Sequence, residues 1–125
     1  MSKTISIPIK CLKNRLKLKR ELYLLYKEKI KQLDFAKILE TPSNCISNNW
    51  LINLIINKNS ELNYKEFRDY LLKKCHQKNI KLRPIWQLLN EQKMYKDMPS
   101  GEIKTASDIV SRVISLPSSP QLLMK

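Results

Sequence analysis

Between positions 10 and 33, Leu12, Leu16, Tyr23, Tyr26, Ile30 and Leu33 recur at spacings of three, four and seven. That is the period of one helical face. Leu18, Leu22 and Leu25 widen the face, and neither Gly nor Pro interrupts it. The pattern predicts a long helix over 10–33, after an extended leader over 1–9 that carries Pro8. Thr41-Pro42-Ser43-Asn44 is a turn cluster. Positions 47–56 hold Trp50 and a short Ile-rich run, which reads as a buried strand. Asn63, with Glu66 three residues on, has the spacing of a capping box. Tyr64, Phe67, Leu71, Leu72 and Cys75 then form the apolar stripe of a second helix, with Asn79 as its left-handed stop. A second short strand is expected over 80–85. Pro99-Ser100-Gly101 marks a turn, and a third helix is expected over 102–113 with Ile103, Ala106, Val110 and Val113 inward. A brief strand at 114–116 follows, and 121–125 has no evident packing partner.

This order of helices and strands predicts an α+β fold, a small sheet covered by helices. The expected organisation is one small domain over 1–125, with the long helix at 10–33 and an α+β core over 47–122.

The segment from 81 to 95 fits neither period. It holds Arg83, Pro84, Trp86, Asn90 and Tyr95. Pro84 has no backbone N–H and disfavours helix at the residue before it, so the chain runs extended through Arg83 and then turns. Ordered irregular segments of this kind commonly carry binding residues. The structural alternatives are core packing for Trp86 and Tyr95 and a salt bridge for Arg83.

Composition narrows the chemistry. The chain has 125 residues, a hydrophobic content of 42% and one glycine, enough for one modest core. So little glycine excludes Gly-rich phosphate loops. Cys11, Cys45 and Cys75 are widely spaced and His76 is the only histidine. No metal site is therefore expected, and the thiols are expected to be buried or half-buried in a reducing compartment. No apolar run reaches the about 20 residues of a membrane span. Positions 1–10 lack a signal peptide's long apolar region. The expected location is the cytoplasm, with no membrane association. The net charge of +13 permits attraction to polyanions. Nine Lys or Arg lie between positions 10 and 31, against Glu21 and Glu28. These read as a solvated helix face, with a basic nucleic-acid-binding module as the alternative. No catalytic residues are identified, since one His and scattered Ser and Cys assemble no nucleophile–base pair.

Four motifs occur in an order that resembles a known family. They are Asn48-Asn49-Trp50-Leu51, His76-Gln77-Lys78-Asn79-Ile80, Arg83 through Tyr95, and Ile114-Ser115-Leu116-Pro117-Ser118-Ser119. Together they resemble the C-terminal small domain of DegT/DnrJ-type sugar aminotransferases. These are fold-type I enzymes that use pyridoxal phosphate to transfer an amino group to a nucleotide-linked keto sugar. The wording is closest to members that make amino sugars for surface polysaccharides. The resemblance implies that the cofactor lysine, the acid facing the cofactor ring and the phosphate loop lie in a large domain that this sequence does not contain. The expectation is a truncated or split aminotransferase that binds no cofactor by itself and is inactive alone. By the same resemblance, Arg83, Trp86, Asn90 and Tyr95 would stand beside the nucleotide-sugar site. Asn90 occupies a position where many relatives carry His. The implied partners are a large aminotransferase domain or a second copy of the chain. A further alternative is an assembly partner for a full-length aminotransferase.

Overall fold

The computed structural model describes residues 9, 11–59, 61 and 63–124. Of the leader expected over 1–9, positions 1–8 lie outside them, as do the expected helix start at Lys10 and the last residue, Lys125, while the described Ile9 is helical rather than extended. The described elements are helix α1 (Leu12–Ile30), strands β1 (Ala36–Ile38) and β2 (Ile52–Ile56), helix α2 (Tyr64–Gln77), strand β3 (Arg83–Pro84), two 3₁₀ turns (Leu89–Glu91 and Lys93–Tyr95), helix α3 (Lys104–Arg112), strand β4 (Val113–Leu116) and a closing 3₁₀ turn (Pro120–Leu123). The strands form one antiparallel sheet in the order β1-β2-β4-β3. The fold is α+β, as the pattern predicts.

The register explains the core. Ala36 faces Ile56, Ile38 faces Leu54, Leu54 faces Ile114 and Ile52 faces Leu116. Because side chains alternate along a strand, these seven residues share one face. They cluster there with Leu22 of α1 and Leu82, and Tyr23, Tyr26, Ile30, Tyr64, Phe67, Leu71, Leu72 and Cys75 pack against them from the two helices. The α2 stripe is thus the one the spacing predicts. Asn63 caps that helix by accepting from the Glu66 amide at 3.4 Å. Asn79 ends it at φ 59°, and the Ile80 amide closes the last turn on the Cys75 carbonyl at 2.9 Å.

Several expectations change. The strand expected over 47–56 begins only at Ile52. Ahead of it, Ser47 Oγ accepts from the Asn49 amide and Asn48 Oδ1 from the Trp50 amide, both at 3.0 Å. These local bonds compete with a strand ladder, and Asn49 adopts a left-handed φ of 51°. Trp50 is accordingly 62% exposed rather than buried. The strand expected over 80–85 shrinks to Arg83–Pro84, since Pro84 donates nothing to a ladder and tolerates only an edge position. Strand β1 has no counterpart in the predicted order, because three residues are too short to show a period. The tail is packed: Leu123 lies against the core. Leu12 and Leu16 are exposed although they share the predicted inward face. The thiols of Cys11 and Cys45 are exposed and that of Cys75 is half-buried, so no buried-thiol account applies to the first two.

At the end of the sheet where β2 leaves and β4 enters, Arg112 is buried. Its guanidinium donates to the Ile56 carbonyl at 2.8 Å and to both Asp108 carboxylate oxygens at 3.1 and 2.6 Å. It also stands 5.7 Å from the centre of the Tyr64 ring. One side chain therefore joins α3, β2 and α2. Removing it leaves a buried carbonyl without its donor, which costs about 1–3 kcal/mol, with charge-assisted bonds adding to that. Arg112→Met is expected to lower unfolding free energy by about 2–4 kcal/mol in urea melts. Hydrogen bonding to Arg112 holds the Asp108 carboxyl below its ordinary 3.8. A depressed carboxylate stabilises the fold above its unfolded value and loses that contribution as pH falls through the folded one. Melts of the native chain and Asp108→Asn should therefore differ most above about pH 4 and converge in stronger acid.

Candidate functional site

The opposite end of the β2–β4 pair gathers three of the motifs singled out in the sequence. Arg83 pairs with Ser115 across β3–β4, which brings the Arg-Pro step beside the Leu116-Pro117-Ser118-Ser119 loop. The Asn48-Asn49-Trp50 turn arrives at the same place, and Ser118 Oγ donates to the Trp50 carbonyl at 2.8 Å. On the sheet's second face, Ser115 Oγ donates to Asn53 Oδ1 at 2.8 Å, a cross-strand bond that ties β4 to β2.

The groups that clamp these segments come from α1. Lys19 Nζ donates to the carbonyls of Asn49 and Trp50, both at 3.2 Å, and to that of Ser118 at 2.8 Å. Seven residues on, the Tyr26 hydroxyl donates to the Pro117 carbonyl at 3.0 Å. Desolvation lowers the Lys19 amine below its usual range and raises the Tyr26 phenol above its own. Sequence reasoning placed Lys19 on the solvated face and missed it. A signal was present: Leu16, Lys19, Tyr23, Tyr26 and Ile30 are spaced three and four apart. Lys19 therefore fills the seven-residue gap in the apolar stripe, and a cation at an inward position needs partners.

Clamped in this way, the turn presents Trp50 to Trp86, with ring centroids 6.1 Å apart and planes at 64°. Edge-to-face geometry of this kind is favourable for aromatic pairs. Trp86 is 72% exposed, so it is not core. Between the β3–β4 edge and the Pro117–Ser119 loop lies a cleft of about 260 Å³ whose lining includes Leu51, Lys81, Arg83, Ser118, Ser119 and Leu122; neither tryptophan lines it. No carboxylate is among its lining residues. Arg83 is exposed, and among the described residues its guanidinium has no hydrogen bond or ion pair. Two cations, Lys81 and Arg83, and the hydroxyls of Ser118 and Ser119 line the cleft, a set that suits an anion.

The other two expected site residues lie elsewhere. Asn90 is half-buried in the first 3₁₀ turn and Tyr95, 41% exposed, closes the second. Neither lines the Arg83 cleft. Of the four, Arg83 alone lines the cleft; Trp86 meets the Asn48-Asn49-Trp50 turn through its contact with Trp50.

The lysines bear on covalent chemistry. Lys19 is the one whose amine is shifted down by burial, and all three of its hydrogens are committed to carbonyls. The other described lysines are exposed. Lys27, for example, pairs with Glu40 at 2.8 Å, which raises the amine and lowers the carboxyl. Among the described residues no three of His, Cys, Asp or Glu cluster in a way that could hold a metal ion. No described helix is long and apolar enough to cross a membrane.

Comparison with known proteins adds family and fold. The profile of the DegT/DnrJ/EryC1/StrS aminotransferase family matches residues 6–125. No curated protein matches the chain in sequence. Among solved structures, the aminotransferase TlmJ from Streptoalloteichus hindustanus is similar with a TM-score of 0.78 at 14% identity, over 93% of this chain and 29% of that one. Helicobacter pylori PseC, an aminotransferase involved in the biosynthesis of pseudoaminic acid, gives 0.78 at 18% identity, over 91% of this chain and 30% of PseC. DesI, solved in the presence of its TDP-sugar product, gives 0.77 at 15% identity, over 90% and 28%. The fold is shared with these enzymes, and the chain spans 28–30% of their length.

The two tryptophans of the chain are both in the exposed pair, so tryptophan emission reports this site alone. Iodide should quench it strongly and caesium weakly, because Lys81 and Arg83 attract the anion and repel the cation. Equal Stern–Volmer slopes at low salt, or blue-shifted and unquenched emission, would contradict the geometry.

Proposed function

The chain belongs to the DegT/DnrJ/EryC1/StrS aminotransferase family, and from that premise we propose that it is the small-domain part of a sugar aminotransferase dependent on pyridoxal phosphate. The observation that carries the reading is the family match over residues 6–125 in a chain that spans only about 30% of its solved relatives. In this reading the chain supplies substrate contacts, and the cofactor is held by a larger part, on the same polypeptide or on another. Arg83 takes a phosphate of a nucleotide sugar, and Trp86 walls the site. Asn90 and Tyr95 reach substrate only once the other part, or a second copy, closes over them. The exposed apolar side chains of Leu12, Leu16, Leu24 and Leu25 on α1 support docking onto such a part. Formation of an amino sugar for surface polysaccharide, in the cytoplasm, is the role this reading assigns.

The described residues do not fit pyridoxal phosphate by themselves. When bound, the cofactor supplies the electron sink, and the protein must offer it a free lysine amine, an acid for the ring nitrogen and a phosphate cradle. Lys19 is committed to three carbonyls, and the cleft lined by Arg83 has no carboxylate among its lining residues. No chemical step is therefore assigned to this chain, which supports inactivity in isolation.

The test is direct. Purified chain mixed with equimolar pyridoxal phosphate and then reduced with borohydride is expected to carry no stoichiometric phosphopyridoxyl-lysine by mass spectrometry. One lysine labelled to completion would overturn the assignment of the cofactor to another part.

A further inference from the structure

The geometry assigns Lys19 a role beyond the family reading: we propose that it is the positioning residue of the aromatic wall, fixing Trp50 against Trp86 through the backbone carbonyls of Asn49, Trp50 and Ser118. Three observations converge on it. Its ammonium spends its three donors on three carbonyls, from segments about 30 and 99 residues away in the chain. The turn it clamps holds Asn49 at a left-handed φ of 51°, a conformation that Asn tolerates and that the local Ser47 and Asn48 bonds shape, while Lys19 ties its carbonyls to α1 and the Ser118 loop. The Ser118 hydroxyl donates to the same Trp50 carbonyl that Lys19 holds. The carbonyl is thereby fixed from two sides.

The side-chain chemistry is specific. An ammonium is a compact point charge with three hydrogens and no acceptor. It can serve three converging carbonyls, whereas an apolar side chain of the same length serves none. Loss of the donors would leave the Asn49 and Ser118 carbonyls to water and the Trp50 carbonyl to the Ser118 hydroxyl alone. The left-handed turn would then relax and the Trp50 ring would lose its fixed angle to Trp86. The core around Leu22, Ile52, Ile56 and Ile114 does not involve Lys19, so the fold itself is expected to survive.

Two variants separate positioning from mere stability. Lys19→Met keeps the length of the side chain and removes the donors, while Lys19→Arg keeps charge and donors. The coupled tryptophan pair should give an exciton couplet in circular dichroism. Lys19→Met is expected to lose that couplet while keeping the helical signal and a cooperative melt, and Lys19→Arg to retain it. A couplet of unchanged size in Lys19→Met would overturn the proposal. A second readout needs no variant. Under limiting acetylation of the native chain, Lys19 should react at least about tenfold more slowly than Lys17 or Lys13, because its amine is free only after local opening. Equal rates would overturn the clamp. The wall's value for a ligand rests on the function proposed above, but the geometry does not. These spectroscopic and labelling results therefore fail or succeed independently of the cofactor experiment.

Discussion

Three backbone carbonyls, those of Asn49, Trp50 and Ser118, converge where β2 begins and β4 ends, and one ammonium, that of Lys19, receives them. Backbone acceptors that are partly shielded from water, as those of Asn49 and Ser118 are, need donors. In the middle of a sheet a neighbouring strand supplies them, but here the chain is turning and strand pairing has run out. Lys19 takes the place of a strand. Tyr26, two helical turns further on, does the same for the Pro117 carbonyl. Together the two side chains tie the Asn49-Trp50 turn and the Pro117-Ser118 loop to α1.

The two ends of the β2–β4 pair are held by different cations. Arg112 joins a carboxylate in two-pronged fashion and adds one carbonyl, a geometry that suits its planar fork. Lys19 meets carbonyls only, which suits three hydrogens on a single nitrogen. The large positive charge of the chain is thus partly structural. Lys27 is matched by Glu40, and Lys17 approaches Glu21 at 3.9 Å. These exposed pairs contribute little to stability. The inward cations Lys19 and Arg112 have defined tasks, as has Arg68, which donates to the Val110 carbonyl at 2.8 Å.

Much of the fold is readable from apolar spacing. The α2 stripe, its Asn63 cap and its Asn79 stop sit where the pattern puts them, because cap and stop depend on local backbone chemistry alone. The strand at 113–116 and the helix before it are equally local. Errors appear where side chains bond their own backbone or where pairing is decided elsewhere. Ser47 and Asn48 divert the chain from a strand that the Ile and Trp content favours. Strand β1 exists because Asn57 and Asn53 receive it: the Asn57 amide donates to the Phe35 carbonyl, and the Leu39 amide to that of Asn53. Of the residues gathered at this end of the sheet, the sequence singles out Arg83 and the tryptophans but not Lys19. A lysine among many lysines is conspicuous only when its place in the helical stripe is counted.

The central claim is that this small domain presents a cationic and aromatic wall to an anionic substrate while the cofactor is held by another part. The most direct measurement is steady-state transamination of a nucleotide sugar by the chain combined with a cofactor-bearing aminotransferase part, comparing native Arg83 with Arg83→Gln. The account predicts a KM for the nucleotide sugar raised about 10- to 100-fold, the worth of a charge-assisted hydrogen bond, with kcat little changed. An unchanged KM in Arg83→Gln would contradict it.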